Sequence, residues 1–226
     1  FVSIQILAVA ALACIGLAKH AYGGLGNNIF NPAMVGYAVI LLSFPQALAA
    51  WPALGGAESL TTDTLSGATY LSEFRYREAM TVDEFLINNP QVIHQQIIAA
   101  LFLLGGLGLI YLKIISWRIP LTLLITVGVL ASVTYDQGST QSLGSAWFHW
   151  TTGGTVAAAF FVATDPVTHP SRHSHQVIFA ISIGILLFVI RTQGNLPDGI
   201  AFAVLLANCA TPLLNRIHRQ RASQRV

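Results

Sequence analysis

Apolar residues along this chain come in continuous runs rather than in the one-in-two alternation of half-buried strands. The runs cover residues 1–18, 33–50, 96–112, 119–133, 148–163, 177–190 and 199–214. Crossing the hydrocarbon core of a bilayer takes about 20 apolar residues of helix. Several runs fall short of that, so partial or re-entrant helices are expected beside full spans. Continuous runs favour helices over a membrane β-barrel, whose strands alternate. The pattern predicts an all-α polytopic membrane protein with about seven hydrophobic segments, forming a single membrane domain over residues 1–226. One polar stretch, residues 51–95, interrupts it at length. Loops that long without secondary structure of their own are usually functional or disordered.

Composition agrees with the pattern. The chain is 54% hydrophobic and 9% charged, against about 25% charged in an ordinary soluble domain. Cys14 and Cys209 both lie inside apolar runs and make no CxxC or zinc pattern, so they read as small buried hydrophobes. The first residue is Phe1 and an apolar helix starts at once, with no basic n-region of a signal peptide. The expectation is a C-terminal portion of a longer protein.

Charge orients the spans. With the C-terminus in the cytoplasm and each run crossing once, Lys19, Lys113, Arg118, Arg172, Arg216, Arg219, Arg221 and Arg225 fall inside. Arg75, Arg77 and Arg191 fall outside, as do all the acidic residues except Asp165. Basic residues concentrate on the cytoplasmic side of membrane proteins, so this orientation is the expected one. The 51–95 loop then faces away from the cytoplasm, into the periplasm of a Gram-negative cell. The basic tail from Arg216 to Arg225 reads as an anchor at the lipid surface.

That loop carries the candidate chemistry. Asp63 precedes Ser66-Gly67-Ala68-Thr69 by three residues, which looks like the site where flavin transferases attach FMN to a threonine through a phosphoester. Such a site needs an accessible hydroxyl on a strip of small residues that a second enzyme can thread. Gly67 adds backbone freedom, and Ser66 and Ala68 add little bulk. The Thr69 oxygen would attack the pyrophosphate of FAD, joining FMN to the threonine and releasing AMP. A hydroxyl is a weak nucleophile, so the transferase supplies its activation. Asp63 is a recognition residue in this reading. The same four residues also make a plain turn.

Other features stand with alternatives open. Gly23, Gly24 and Gly26, then Asn31-Pro32, interrupt one apolar region; Gly153-Gly154, then Asp165-Pro166, interrupt another. Irregular backbone at membrane depth survives only when buried in protein or lining a cavity. A pore or cofactor cavity between two broken helices is one reading; close helix packing through glycine is the other. Gly24-Leu25-Gly26 lacks the third glycine and the strand–turn–helix context of a dinucleotide fold. His169, His173 and His175 sit with Arg172 and read better as a solvated basic loop than as a metal site. Asp165 is either a functional charge near the membrane or a turn residue before Pro166.

The stretch from Tyr22-Gly23-Gly24-Leu25-Gly26-Asn27-Asn28 to Asn31-Pro32-Ala33-Met34-Val35-Gly36-Tyr37 resembles the RnfD (RsxD) family of Rnf electron-transport complexes. So do Ala163-Thr164-Asp165-Pro166-Val167-Thr168 and the segment from Ile190-Arg191-Thr192 through Pro197-Asp198-Gly199 to Asn208. The NqrB subunit of sodium-pumping quinone reductases is similar in the glycine-rich and Ser-Gly-Ala-Thr segments. The resemblance implies a subunit of an ion-translocating (Na+ or H+) oxidoreductase that couples electron transfer between ferredoxin and NAD to ion movement. It implies covalent FMN on Thr69, a urea-transporter-like fold with broken helices and inverted repeats, and further helices upstream. It also implies RnfG and the other complex subunits as partners, a flavin transferase for maturation, lipid around it in the bacterial inner membrane, and no nucleic acid. The family often has proline after the acceptor, where this chain has Tyr70.

The expectation is an electron-relay subunit with no complete reaction of its own. A urea-transporter-like channel and a structural membrane subunit, both without flavin, are the alternatives.

Overall fold

The computed structural model describes residues 3–21, 24, 26–49, 70–77, 79–89, 92–194 and 198–223, and among them it is helical with no strand. Helix α1 (Ile4–Ala21) starts at Ser3, whose hydroxyl accepts from the Ile6 N–H, and passes from α-helix into π-helix at Ala13. After the glycine-rich interruption, α2 (Pro32–Ser43) is capped by Asn31, whose side chain accepts from the Met34 N–H at 3.2 Å. Pro32 sits at the first helical position, where its missing N–H costs nothing. Pro45 then ends α2 by excluding helical backbone at Phe44, and α3 (Pro45–Ala49) continues beyond the break.

Two short helices lie inside the 51–95 stretch: α4 (Tyr70–Arg75) and α5 (Val82–Asn88). A reciprocal capping box starts α5. The Thr81 backbone N–H donates to Glu84 Oε2 at 2.9 Å, and the Glu84 N–H donates to Thr81 Oγ1 at 3.3 Å. The remaining helices are α6 (Val92–Tyr111), α7 (Arg118–Val133), α8 (Ala146–Thr151), α9 (Thr155–Ala157, continuing as a π-turn Ala158–Val162), α10 (His173–Gln193) and α11 (Ile200–Ser223). Over their described residues, all seven apolar runs contain helix; the runs 33–50 and 148–163 are each split.

Three helices, α1, α6 and α10, are long and apolar enough to cross a membrane; α2, α7 and the Ile200–Arg216 part of α11 are shorter apolar helices. The chain is therefore an all-helical polytopic membrane protein. Along α6 the large side chains of Ile97, Leu101 and Leu104 point outward, as expected of a face that meets lipid tails. Lipid is as apolar as leucine, so close packing rather than water exclusion holds such helices together. The principal core joins α7, α9, α10 and α11 through Ile119, Leu123, Val127, Phe179, Ile183, Leu187 and Val204. Small residues let the backbones approach. A Cβ at Gly184 of α10 would lie 2.8 Å from Thr126 Cβ on α7, and one at Gly106 of α6 would overlap the Phe160 ring.

A second, smaller cluster contains Leu71, Phe74, Val82, Phe85 and Phe148. Phe74 stacks at a tilt on Phe148 with centroids 4.1 Å apart and meets Phe85 edge-on at 5.2 Å. This cluster fastens α4 and α5 against α8 at one end of the bundle, beside the break between α8 and α9.

Candidate functional site

The break is built from residues of unusual backbone. Ser145 starts α8 by accepting from the Phe148 N–H at 3.1 Å. The helix stops at Thr151, and Gly153 and Gly154 take positive φ of 63° and 70° before α9 resumes. Carbonyls at a helix end lack partners within the helix, and here an arginine from α10 supplies them. Arg191 Nη1 donates to the His149 carbonyl at 3.2 Å and to Thr155 Oγ1 at 2.9 Å. Its Nη2 donates to the Gly153 carbonyl at 3.2 Å and faces Asp198 Oδ1 at 3.5 Å. A Cβ at Gly153 would overlap Leu71 and lie 2.8 Å from that Nη2, so the position admits only glycine.

A cavity of about 260 Å³ opens beside this knot. Phe74, Arg75, Arg77, Phe148, His149 and Arg191 are among its walls, and among the described residues no acidic one lines it. Arg77 braces the rim. It donates from Nε to the Met80 carbonyl, from Nη1 to the Phe74 carbonyl at 2.9 Å, and from Nη2 to the carbonyls of Thr140 and Ser142. Its guanidinium lies 4.0 Å from the Phe74 ring centroid, and partial burial pulls its pKa below the ordinary value. Arg75 donates from Nη2 to the Gln193 carbonyl at 3.2 Å.

Three buried nitrogens on the cavity's lining residues have no hydrogen-bond partner: Arg75 Nη1, Arg191 Nε and His149 Nδ1. His149 Nε2 lies 2.9 Å from the Leu143 carbonyl. A carbonyl only accepts, so Nε2 carries the proton and Nδ1 of the neutral ring is a bare acceptor.

The two interruptions noted in the sequence meet elsewhere in the fold. Asn31 Nδ2 donates to the Val162 carbonyl at 3.4 Å, joining the start of α2 to the π-turn after α9. Gly24 and Gly26 have positive φ, which their turn requires. A cavity of about 570 Å³ lies between the Gly26–Ile29 turn, Val167 and Thr168, and the face of α11 bearing Thr211, Asn215 and Arg216. Thr211 Oγ1 and both amide atoms of Asn208 are buried without a partner.

Asp63, Ser66, Gly67, Ala68 and Thr69 lie outside the described residues. The chain is described again from Tyr70, the first residue of α4, and Leu71 already lines the smaller cavity. Asp165 acts as a turn residue: Oδ1 accepts from the Val167 N–H at 3.2 Å and Oδ2 from Thr168 Oγ1 at 3.1 Å. Among the described residues no three of His, Cys, Asp and Glu gather as a metal site requires. His169 Nδ1 donates to the Pro170 carbonyl at 2.8 Å, and His173 Nδ1 lies 3.5 Å from Arg118 Nη1. The Arg191–His149 pairing was not read from the sequence. Its signal is a histidine and an arginine in or beside apolar runs, since ionisable groups at membrane depth mark function by default.

Residues 1–224 match the sequence model of the NQR2, RnfD, RnfE family. Curated relatives are similar over most of the chain. The D subunit of the ion-translocating oxidoreductase complex of Ectopseudomonas mendocina (strain ymp) is 37% identical over 90% of this chain and 64% of its own length. The corresponding protein of Pseudomonas aeruginosa (strain UCBPP-PA14) is 37% identical over 94% of this chain and 67% of its own. That of Stutzerimonas stutzeri is 40% identical over 92% and 67%. The chain thus spans about two thirds of the length of the relatives it matches.

Proposed function

The chain belongs to the NQR2, RnfD, RnfE family, and from that membership we propose that it is the D-type membrane subunit of an ion-translocating oxidoreductase complex, relaying electrons through FMN esterified to Thr69. The observation that carries the reading is the family match over residues 1–224 together with Asp63 and Ser66-Gly67-Ala68-Thr69 in the longest polar stretch. Bound there, FMN supplies reversible electron uptake and release, chemistry that amino-acid side chains do not provide.

The chain's own residues position and surround the group. Thr69 offers the oxygen that carries the phosphate. Ser66, Gly67 and Ala68 keep the strip narrow enough for a flavin transferase to thread, and Asp63 is its recognition mark. Arg75 and Arg77 follow within the next eight residues and bring positive charge to a stretch otherwise rich in acids. RnfG and the other complex subunits are the electron-transfer partners in this reading. The Thr69 loop faces the periplasm and the C-terminus the cytoplasm of the inner membrane, the orientation that places eight of the eleven basic residues inside.

The test is direct. Co-expressed with a flavin transferase and run on a denaturing gel, the protein gives a fluorescent band and gains the mass of one FMN. Thr69→Ala gives neither. A dark wild-type band, or fluorescence kept in Thr69→Ala, overturns the assignment.

A further inference from the structure

We propose that the break between α8 and α9 is a monovalent-cation site whose resident ion is the Arg191 guanidinium, and that this tethered ion closes the break to sodium and other free cations. Four oxygens face the guanidinium. The His149 carbonyl lies 3.2 Å from Nη1, and Thr155 Oγ1 lies 2.9 Å from it. The Gly153 carbonyl lies 3.2 Å from Nη2, and Asp198 Oδ1 lies 3.5 Å from it. All four act as acceptors. The Thr155 hydroxyl gives its proton to the His149 carbonyl at 2.5 Å, which leaves its lone pairs for the cation.

The set has the composition of a cation site. Hard cations are held by oxygen alone, from carboxylates, hydroxyls and backbone carbonyls. Transporters bind theirs at interrupted helices, where a break frees such carbonyls. None of the four oxygens comes from α10. His149 belongs to α8, Gly153 to the break, Thr155 to α9 and Asp198 to the turn before α11. Each also has a hold that does not use the arginine. His149 and Thr155 share a hydrogen bond, Gly153 sits in the positive-φ turn, and Asp198 Oδ1 accepts from the Ile200 N–H at 3.3 Å. Only the cation is supplied by α10, as a ligand on a propyl tether.

Charge decides what the site admits. One guanidinium against one carboxylate is neutral, and the arginine side chain is buried. A free cation entering the break meets a like charge at close range in a medium that screens poorly. The oxygens that would replace its water already accept from N–H groups. In the ion-translocating reading above, the moved ion therefore takes a route other than this break; that consequence rests on the reading, and the site itself does not.

The test is chemical rescue in the full-length subunit purified in detergent. Arg191→Ala removes the tethered ion and lowers the thermal unfolding temperature. Ethylguanidinium chloride, at millimolar levels well below those that denature, restores most of that loss and saturates, as binding to the folded state requires. Wild type and Gly106→Ala, which is strained on α6 instead, show no such rise. An equal rise in Gly106→Ala, or none in Arg191→Ala, overturns the proposal. Should Arg191→Ala not accumulate, wild type carries the test. Its hydrogen exchange over residues 149–156 is the same in sodium chloride as in choline chloride of equal ionic strength. Exchange there that sodium slows by about threefold or more marks a free ion in the break and overturns the proposal. Neither readout involves flavin or another subunit, so a protein without covalent FMN overturns the reading above and leaves this site standing.

Discussion

Arg191 Nη2 stands 3.5 Å from Asp198 Oδ1, an ion pair that ties the end of α10 to the residues just before α11. The two ends of this pair are unequal. The arginine side chain is 3% exposed and also bonds two carbonyls and a hydroxyl around the helix break; the aspartate side chain is 24% exposed. Removing one partner of a buried pair costs about 3–5 kcal/mol because a charge is left uncompensated. Arg191→Gln is therefore expected to lose that much and to lower the thermal unfolding temperature in detergent sharply. Asp198→Asn keeps the arginine's three oxygen acceptors but leaves its more deeply buried charge uncompensated, and is expected to destabilise as well.

Gly106 and Gly108 lie two residues apart on α6 and face different surroundings. A Cβ at Gly106 overlaps Phe160, while one at Gly108 meets nothing within 4 Å. Gly106→Ala is expected to cost about 1–3 kcal/mol, the range for overpacking. Gly108→Ala is expected to be neutral or slightly stabilising, since alanine is the better helix former. Thermal unfolding of the two variants side by side checks the contrast.

Arg77 binds the carbonyls of Phe74, Met80, Thr140 and Ser142, so it links the α4–α5 segment to the loop before α8. Hydrogen bonds to a charged group are worth about 1.5–3 kcal/mol each, and not all are lost to water. Arg77→Ala is expected to loosen this segment by about 2–3 kcal/mol. Hydrogen exchange over residues 79–89 rises at least tenfold, while α10 keeps its protection.

The capping box of α5 makes a pH-dependent contribution. The Thr81 backbone and side-chain hydrogen bonds hold the Glu84 carboxyl below its ordinary pKa. A folded pKa below the unfolded one means stability that is fully present above the ordinary carboxylate pKa and is lost as pH falls through the folded value. Glu84→Gln is expected to lower the protection of α5 near neutrality, where the carboxylate contribution is present, and to flatten the acid side of its local exchange profile.

Much of the helical framework was legible in the chain because lipid demands continuous apolar stretches. Local punctuation was legible too: Asn31-Pro32 caps α2, and Gly153-Gly154 marks the break between α8 and α9. The cavity was not legible. Arg191 read as a basic residue beyond a membrane span, yet its side chain is buried and its partners include His149 and Thr155, 42 and 36 residues away. No periodicity or motif spacing records a contact of that range. Arg75 and Arg77 likewise counted toward topology, whereas their carbonyl partners emerge only when α4 packs on α8 through Phe74 and Phe148.

One guanidinium, that of Arg191, both walls the cavity and closes the gap where α8 stops and α9 begins. These two duties cannot be varied separately. A library of substitutions sorted only by how much protein reaches the membrane would already be depleted at this position, before a single electron had been counted.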